Sequence, residues 1–421
     1  MKNLCLFLLF SFASFSLKAD ATEDLFNAIY KAELPKIKEA ISAGADVNAL
    51  HKNGFTPLLL SMWYPEITAE LIKAKANVNQ ATHNNTYTPL IYACMFGSFE
   101  TIIQLVDAGA NINGVTLSGT TPYLAAVPLY RLPVLKYLEE KGADIKAING
   151  FNQDALMILA SSPKTAASIA ATYKTMADNV AKNGNPVPPM IKRLQDETLY
   201  SNANEMIDYL AGKGFDLNKQ TDVKVPDNTP DAEKTNKNLK KQGIHQSAVS
   251  IGLKAGNSDI INTFLAKGGN VAILKDKYPL GYEVKRFSNI FTPSTITDAD
   301  ALFVAVKAGN KDLLKILLDK GVGDVKQKYK GFVSPCTPGT LFNIEGFTLL
   351  MLAANQGNLE ICELLVAQGA KGMDKCTLNI VGSRAGKEIA CGEYLTKKAL
   401  SYPEDFATTD EVKAYLKTLK R

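Results

Sequence analysis

The chain has 421 residues, of which 46% are hydrophobic and 21% charged, which is ordinary for a folded soluble protein. Its formal net charge of +5 is a mild excess that requires no polyanionic partner. The basic residues are five arginines against 42 lysines, which argues against nucleic acid as the ligand because bidentate recognition of phosphates and bases relies on arginine.

Residues 1–19 have the layout of a secretory signal. Lys2 gives a positive start, the run Leu4–Phe15 is apolar, and small residues follow at Ala19 and Ala21, so we expect cleavage after one of these alanines. An apolar run of about a dozen residues is shorter than the roughly 20 that a membrane-spanning helix needs. Export with signal cleavage is therefore predicted, and no later stretch is long and apolar enough to span a bilayer.

Three stretches near the front of the chain repeat one another. They read GFTPLLLSMWYPEITAELIKAKANVN, YTPLIYACMFGSFETIIQLVDAGANIN and GTTPYLAAVPLYRLPVLKYLEEKGADIK. The prolines Pro57, Pro89 and Pro122 are spaced 32 and 33 residues apart. A fixed period of this size indicates a solenoid of stacked supersecondary units.

Each repeat carries its own signals for the start and end of a helix. The threonines before the prolines are N-cap residues, whose hydroxyl can accept a hydrogen bond from a free backbone N–H group; they are Thr56, Thr88 and Thr121. The prolines then occupy the first helical position, where an N–H has no partner. Gly109 and Gly142 follow a second apolar helix and fit a left-handed C-terminal stop.

The T-P-L turn and the G-A-D-V-N ending resemble ankyrin repeats. Weaker copies begin at Glu23, His245, Ala301 and Phe347, and a further copy is split between residues 152–160 and 204–218. The resemblance implies an all-α, ankyrin-repeat solenoid of about eight helix-pair repeats with hairpin fingers and a helical insertion. The predicted segments are a signal peptide (1–19), repeats 1–4 (20–146), the split repeat (147–218), a polar loop (219–243), repeats 6–8 with long hairpin loops (244–386) and C-terminal capping helices (387–421).

Four insertions interrupt the repeat pattern. Residues 161–203 predict a helical hairpin, and the lysine-rich residues 219–243 predict a mobile loop. Residues 272–299 and 326–344 follow second helices and should lengthen the hairpin fingers. Their aromatic side chains are expected either to pack on one another or to contact a ligand.

Export would leave five cysteines, and an odd number leaves at least one thiol unpaired. Cys94 and Cys362 lie in amphipathic helical patterns and are expected to be small buried side chains. The stretch CTLNIVGSRAGKEIAC predicts a hairpin with Cys376 and Cys391 at its feet, joined by a disulfide. Cys336 is the rival partner for Cys376.

The search for catalytic and metal motifs gives little. GSRAGKE, from residue 382, is one residue too short for a phosphate-binding loop and lacks its serine or threonine. His51 and His83 occupy adjacent hairpins about 8–10 Å apart, too far to share a zinc ion. Asp46, Asn77, Asn111 and Asp144 recur at the hairpin entry, which is typical of turn-forming residues. We therefore predict no catalytic residue, no metal and no cofactor, with an enzyme site in the insertions left as an alternative.

The ankyrin pattern also implies a contact surface. It puts Ser61 and Met62 at a buried pair and Trp63 with Tyr64 at the variable pair that faces the concave side. The predicted partner-binding residues are the apolar strip and polar hairpin tips formed by Phe55, Trp63, Tyr64, Tyr87, Met95, Phe96, Tyr130, Lys52, Asn53, Asn84 and Asn85. Aromatic and methionine side chains are enriched at interface cores. The alternative is that these side chains cover one another or pack under a long finger.

The function predicted from the sequence is a non-enzymatic protein–protein interaction scaffold. It is expected to be a monomer that binds a protein partner of unknown identity through the concave face and the hairpin tips, without nucleic acid and without a membrane span after signal cleavage. A periplasmic location is expected. The alternatives are a secreted effector that binds a target in another cell, and the enzyme named above.

Overall fold

A computed structural model of the chain describes residues 20–82, 87–162, 166–182, 191, 195–196, 201–241, 245–255, 258–270, 282–283, 295–296, 300–333, 341–382 and 402–419. The chain divides into two compact units. Unit 1 comprises residues 1–215 and 221–242, and unit 2 comprises residues 216–220 and 243–421.

Unit 1 is built from pairs of short helices. Its helices are α1 (20–30), α2 (Leu34–Ser42), α3 (Pro57–Leu60), α4 (Pro65–Lys73), α5 (Pro89–Phe96), α6 (Phe99–Asp107), α7 (Pro122–Ala126), α8 (Leu132–Glu140), α9 (Ala155–Ala160), α10 (Ala166–Lys182), α11 (Ala203–Gly212) and α12 (Ala232–Lys241). A short 3-10 turn (Val127–Leu129) follows α7, and the two-residue strand β1 is Thr221–Asp222. Helices α1 to α9 and α11 form five pairs.

The caps and stops predicted from the sequence are confirmed. The hydroxyls of Thr56, Thr88 and Thr121 accept hydrogen bonds from the backbone N–H three residues later, at 3.2 to 3.3 Å. Gly109 and Gly142 both have φ of +88°, the left-handed conformation that glycine adopts without steric cost.

The core of unit 1 lies between the helix pairs. The small side chains of Ala93 and Cys94 on α5 are fully buried, as are Ile102 and Leu105 on α6. Small residues on the first helix let the next repeat approach, and the larger residues of the second helix fill the space behind it. Each fully buried leucine or isoleucine contributes about 1.5–3 kcal/mol relative to an exposed one.

Two insertions of unit 1 each contain a helix among the residues that the structure describes. Helix α10 buries Ile169, Ala170 and Ala177. The segment 219–243, expected to be a mobile loop, contains the ten-residue helix α12. The physical reason is a local tie: the Asn236 side chain accepts from the N–H of Val225 at 2.8 Å and donates to its carbonyl at 3.0 Å.

Unit 2 repeats the same plan. Its helices are α13 (Ala248–Ala255), α14 (Ser258–Ala266), α15 (Ala301–Lys307), α16 (Lys311–Asp319), α17 (Leu349–Asn355), α18 (Leu359–Ala367) and α19 (Asp410–Thr418), with a 3-10 turn at Pro403–Phe406. The first six helices form three pairs, and the 3-10 turn with α19 packs against α17 and α18.

The long hairpins of unit 2 join into one antiparallel sheet. Besides the short strand β2 (His245–Gln246), its strands are β3 (Tyr282–Glu283), β4 (Thr295–Ile296), β5 (Tyr329–Val333), β6 (Leu341–Phe347) and β7 (Thr377–Gly382), and β3 to β7 pair in that order. Lys330 pairs with Glu345, which pairs with Thr377. These three residues are exposed, so they mark the solvent face of the sheet near the helices.

The structure confirms the predicted all-α solenoid of repeated helix pairs, with eight pairs among the described residues. The sheet is an addition that the repeat pattern did not predict, because it requires three separate hairpins to pair in register. Among the described helices, none combines the length and the apolar character needed to cross a membrane.

Candidate partner-binding surface

Asparagine side chains connect the hairpin fingers of unit 1. The side-chain oxygen of Asn48 accepts from the N–H of Asn77 at 2.7 Å, and that of Asn79 accepts from the N–H of Asn111 at 2.8 Å. Asn113 continues the series by accepting from the N–H of Asp144 at 2.8 Å. We call Asn48, Asn79 and Asn113 the asparagine ladder. Because each rung joins one finger to the next, the ladder fixes the fingers in register.

The residues that begin each finger are turn formers, as predicted. The side-chain oxygens of Asp46, Asn77, Asn111 and Asp144 each accept from the backbone N–H two residues later, at 2.9 to 3.1 Å. This local bond is typical of an Asx turn. These carboxylates and amides are therefore structural groups of the fingers.

The ladder of unit 1 ends at Lys146, which takes the position of the asparagine. Its ammonium group donates to the carbonyl of Lys213 at 2.7 Å and lies 3.8 Å from the centre of the Phe215 ring. An ammonium has no acceptor. Lys146 can therefore tie its finger to the end of α11, but it cannot accept a rung from a following finger.

The aromatic residues of the predicted strip gather around a residue that the sequence analysis did not select. The ring of Tyr92 on α5 lies 5.5 Å from Phe55, 5.9 Å from Tyr87 and 5.2 Å from Phe96, in edge-on contacts. Burial raises the pKa of Tyr92, and its neighbours Tyr87 and Tyr173 raise it further. Tyr173 belongs to α10, so the inserted helix lies near this cluster.

Trp63 is buried, with 5% of its surface exposed, so its predicted place on an exposed strip is wrong. The N-caps of the two helices lie ten residues apart in the next repeat, at Thr88 and Ser98, but only eight apart here, at Thr56 and Tyr64. Helix α3 therefore ends at Leu60, and Trp63 falls in a tight turn between layers and not on a helix face.

Tyr130 is also buried, with no exposed surface, and the prediction that it contributes to the strip is wrong. It ends the 3-10 turn with φ of +55°. Its carbonyl accepts from the N–H of Ser201 at 2.8 Å, which fixes the point where the insertion returns to the repeat. The three residues of this 3-10 turn, Val127–Leu129, separate Tyr130 from the end of α7 at Ala126.

The remaining strip residues are half-buried. Phe55, Tyr64, Tyr87, Met95 and Phe96 keep part of their surface accessible. The rings of Phe55, Tyr87 and Phe96 pack against Tyr92 and not against one another, and their accessible parts still offer an apolar surface.

Among the predicted polar tips, Lys52 and Asn53 are exposed. The Asn53 amide donates to the hydroxyl of Tyr30 at 3.0 Å and its oxygen accepts from the N–H of Phe55 at 3.1 Å. Asn53 therefore shapes its own finger. Asn84 and Asn85 lie outside the described residues.

The sequence analysis missed the exposed apolar residues of the fingers. They are Leu50, Val115, Leu117, Ile148 and Phe151, with 43–60% of their surface exposed. A signal was present, because each lies between a ladder position and the next N-cap, where polar turn residues are the norm.

Both predicted buried thiols are confirmed. Cys94 and Cys362 have no exposed surface, and burial raises the pKa of each to about 12. Cys376 is buried directly before β7, and burial raises its pKa to about 12 as well. The other halves of the two possible disulfides, Cys336 and Cys391, lie outside the described residues.

Comparison with known proteins agrees with this geometry. Two variola virus sequences, both named ankyrin repeat protein OPG189 and one from the isolate Human/India/Ind3/1967, are 27% identical to the chain over 116 residues. The aligned region is 27% of this chain and 20% of each relative. The chain thus spans about a fifth of the length of the curated relatives it matches.

A family model described as ankyrin repeats (3 copies) matches residues 25–116, 62–149 and 200–379, which together make up more than half of the chain. The matched residues contain the threonine caps, the glycine stops and the asparagine ladder. The chain therefore belongs to the ankyrin repeat family, whose repeats are generally protein–protein interaction modules and not enzymes.

Proposed function

We propose that the chain is an exported scaffold that binds a protein partner through the first-helix face and the fingers of unit 1. The observation that carries this proposal is the asparagine ladder, which holds successive fingers in register beside a half-buried aromatic cluster. A surface that is already ordered loses little conformational entropy when a partner binds. The fold thus favours presentation of a fixed surface over chemistry.

The aromatic cluster supplies the apolar part of this surface. Phe55, Tyr87 and Phe96 are half-buried and each contacts the ring of Tyr92, and Met95, which directly precedes Phe96, is also half-buried. Partly exposed aromatic and methionine side chains gain most when a partner excludes the remaining water. Lys52 adds an exposed positive charge at the tip of the first finger.

Export is proposed from the layout of residues 1–19, with a bacterial periplasm as the destination and release from the cell as the alternative. Fractionation of cells that express the full chain separates the two. Periplasmic protein that begins at residue 20 or 22 is expected. Full-length protein retained in the cytoplasm would overturn the export proposal.

Partner binding is tested with the purified exported chain. We expect cross-linking in the exporting cells to join it to another protein, and a Met95→Ala/Phe96→Ala variant to lose that product. Phe99→Ala is the matched control, because Phe99 is 40% exposed but lies on the second helix α6. Equal loss in both variants, or no cross-linked product with the wild-type chain, would contradict the proposed surface.

We also propose a disulfide between Cys376 and Cys391, with Cys336 as the competing partner. The oxidising compartment implied by export supports it, and Cys376 directly precedes strand β7, which is followed in the sequence by the rest of the GSRAG stretch. Peptide mapping without reduction is the test. A free Cys391 thiol in exported protein would end this proposal.

A further inference from the structure

Four exposed apolar side chains in the described part of unit 1 lie on two neighbouring fingers. Val115 and Leu117, on the finger of residues 111–120, are 60% and 58% exposed. Ile148 and Phe151, on the finger of residues 144–153, are 49% and 43% exposed. Val115 and Ile148 hold the same position in their fingers, two residues after Asn113 and Lys146. We call these four residues the apolar tip.

The two fingers of the apolar tip are bonded directly to each other. The N–H of Gly150 donates to the carbonyl of Ser118 at 2.7 Å. A Cβ atom on Gly150 would lie 2.8 Å from that carbonyl oxygen, and one on Gly119 would lie 2.8 Å from the Gly150 nitrogen. Glycine at both positions is what permits this close approach. The two fingers that carry the apolar side chains are therefore held beside one another.

The finger of residues 144–153 is also held on its other side. The amide of Asn152 donates to the carbonyl of Asp222 at 3.0 Å, and the hydroxyl of Thr221 donates to the carbonyl of Asn152 at 3.0 Å. Within the finger, the side-chain oxygen of Asn149 accepts from the N–H groups of Phe151 and Gln153 at 3.0 Å each. The apolar tip is thus ordered before any partner binds.

The charges around the apolar tip identify the kind of partner. Residues 114–121 and 147–153 contain no ionisable side chain. At the edge, Lys224 pairs with Asp227 at 3.0 Å, and the ammonium of Lys146 is bonded to the carbonyl of Lys213. Membrane-binding surfaces combine apolar residues with lysines or arginines directed at anionic lipids. An uncharged centre whose neighbouring cations are already engaged fits the apolar surface of a protein better.

We propose that the apolar tip is a docking site for an uncharged, apolar segment of a partner protein. This inference rests on the proposed scaffold function and names a surface for it that is separate from the aromatic cluster of α5. Exposed apolar patches of this kind are rare on monomeric proteins unless they bind something. Binding at the apolar tip depends on apolar contact, and it is therefore insensitive to salt.

The test uses the full exported chain and defined peptides as probes. One set of short peptides alternates Val, Leu, Ile or Phe with Ser, Thr or Gln, and a matched set carries a central Lys or Glu. We expect the first set to bind more tightly, with little change between low and high salt. Val115→Ser/Leu117→Ser and Phe151→Ser should each weaken binding at least about tenfold. Met176→Ser is the matched control, because Met176 is 45% exposed but lies on helix α10 and not on a finger, and this variant should bind as the wild type does.

Several results would overturn the inference. They are equal binding of both peptide sets, equal weakening by Met176→Ser, a requirement for vesicles containing anionic lipid, and a monomer–dimer equilibrium that Val115→Ser/Leu117→Ser abolishes. A photo-reactive benzophenone residue at position 117 or at position 96 separates this inference from the proposed function. Cross-links from position 96 alone would support the scaffold function and contradict docking at the apolar tip. The absence of cross-links from both positions would contradict both the scaffold function and docking at the apolar tip.

Discussion

The guanidinium group of Arg131 donates to the carbonyl oxygen of Gly97 at 2.7 Å, from the next repeat along the chain. Its other terminal nitrogen donates to the carbonyls of Ala93 and Cys94 at 2.8 and 3.0 Å. These carbonyls close helix α5, where the helix dipole is negative. The side chain of Arg131 therefore caps the C-terminus of α5 in one repeat, while Arg131 itself is the N-cap residue of α8 in the next repeat.

Replacement of Arg131 should destabilise unit 1 strongly. We expect Arg131→Met to lose about 3 kcal/mol, because three buried carbonyls would lose a charged donor. Arg131→Lys should lose about half of that, since lysine keeps the charge but lacks the planar fork that reaches several acceptors. Urea denaturation followed by circular dichroism measures both. A lysine variant as stable as the wild type would show that charge alone matters at this site.

The asparagine ladder should control the order of the fingers more than the folding of the helices. Asn113→Ala removes the acceptor for the N–H of Asp144 and the donor to the carbonyl of Gly142. We expect a loss of about 1–2 kcal/mol and faster hydrogen exchange at the Asp144 amide. Asn113→Asp keeps the acceptor and should protect that amide. Equal exchange in both variants would mean that the rung does not hold the finger.

Trp63 should behave as a core residue. We expect Trp63→Ala to destabilise unit 1 by about 3–5 kcal/mol, because it leaves a large cavity between layers. Phe96→Ala should cost less, since Phe96 is only half-buried. Thermal or urea denaturation gives the stability, and cross-linking by the folded fraction gives the binding. A Trp63→Ala variant of wild-type stability would contradict its place in the core.

The case of Trp63 shows where sequence reasoning succeeds and where it stops. The helix starts at Thr56, Thr88 and Thr121 and the stops at Gly109 and Gly142 depend on local backbone chemistry, so the sequence predicts them. The position of Trp63 depends on the spacing of the two N-caps, which is two residues shorter than in the next repeat. Helix α3 therefore ends early, and Trp63 lies in a turn and not on a helix face. When the ankyrin pattern is aligned to this repeat without a two-residue deletion, it wrongly places the indole on the concave face.

Features that depend on a partner outside their own helix or strand were not predictable in the same way. Helix α12 depends on the two hydrogen bonds between Asn236 and the backbone of Val225. The sheet of unit 2 depends on the register that pairs β5, β6 and β7 across separate hairpins. Periodicity shows that such segments can be ordered, but not which neighbour orders them.

Lys75 offers a stabilising substitution. It has φ of +68° at the helix stop where the next two repeats have Gly109 and Gly142. A side chain in this left-handed conformation is strained, and we expect Lys75→Gly to stabilise unit 1 by about 1 kcal/mol. The reverse change, Gly109→Lys, should lose a similar amount, because a Cβ there meets no neighbour within 4 Å and strain is its main cost. The urea midpoint of unfolding measures both changes in stability, and the two variants must shift it in opposite directions.

Asp300 should make the stability of unit 2 depend on pH. Its carboxylate caps α15 by accepting from the N–H of Phe303, and it also accepts from the hydroxyl of Tyr329, both at 2.9 Å. Burial nevertheless raises the pKa of Asp300, and these hydrogen bonds offset the rise only in part. The folded state therefore disfavours the ionised form. The contribution of this group is most favourable below the ordinary aspartate pKa and is lost as pH rises through the raised folded value.

Asp300→Asn removes this pH dependence while it keeps a side chain that caps helices equally well. We expect the variant to gain stability over the wild type as pH rises from about 4 to about 7. Tyr329→Phe removes a hydrogen bond that favours the ionised carboxylate of Asp300. This variant should therefore lose more stability than the wild type over the same rise in pH. Urea midpoints of unit 2 at a series of pH values test both changes. Parallel pH profiles for the wild type and Asp300→Asn would show that the buried carboxylate is not the source, because an amide cannot titrate.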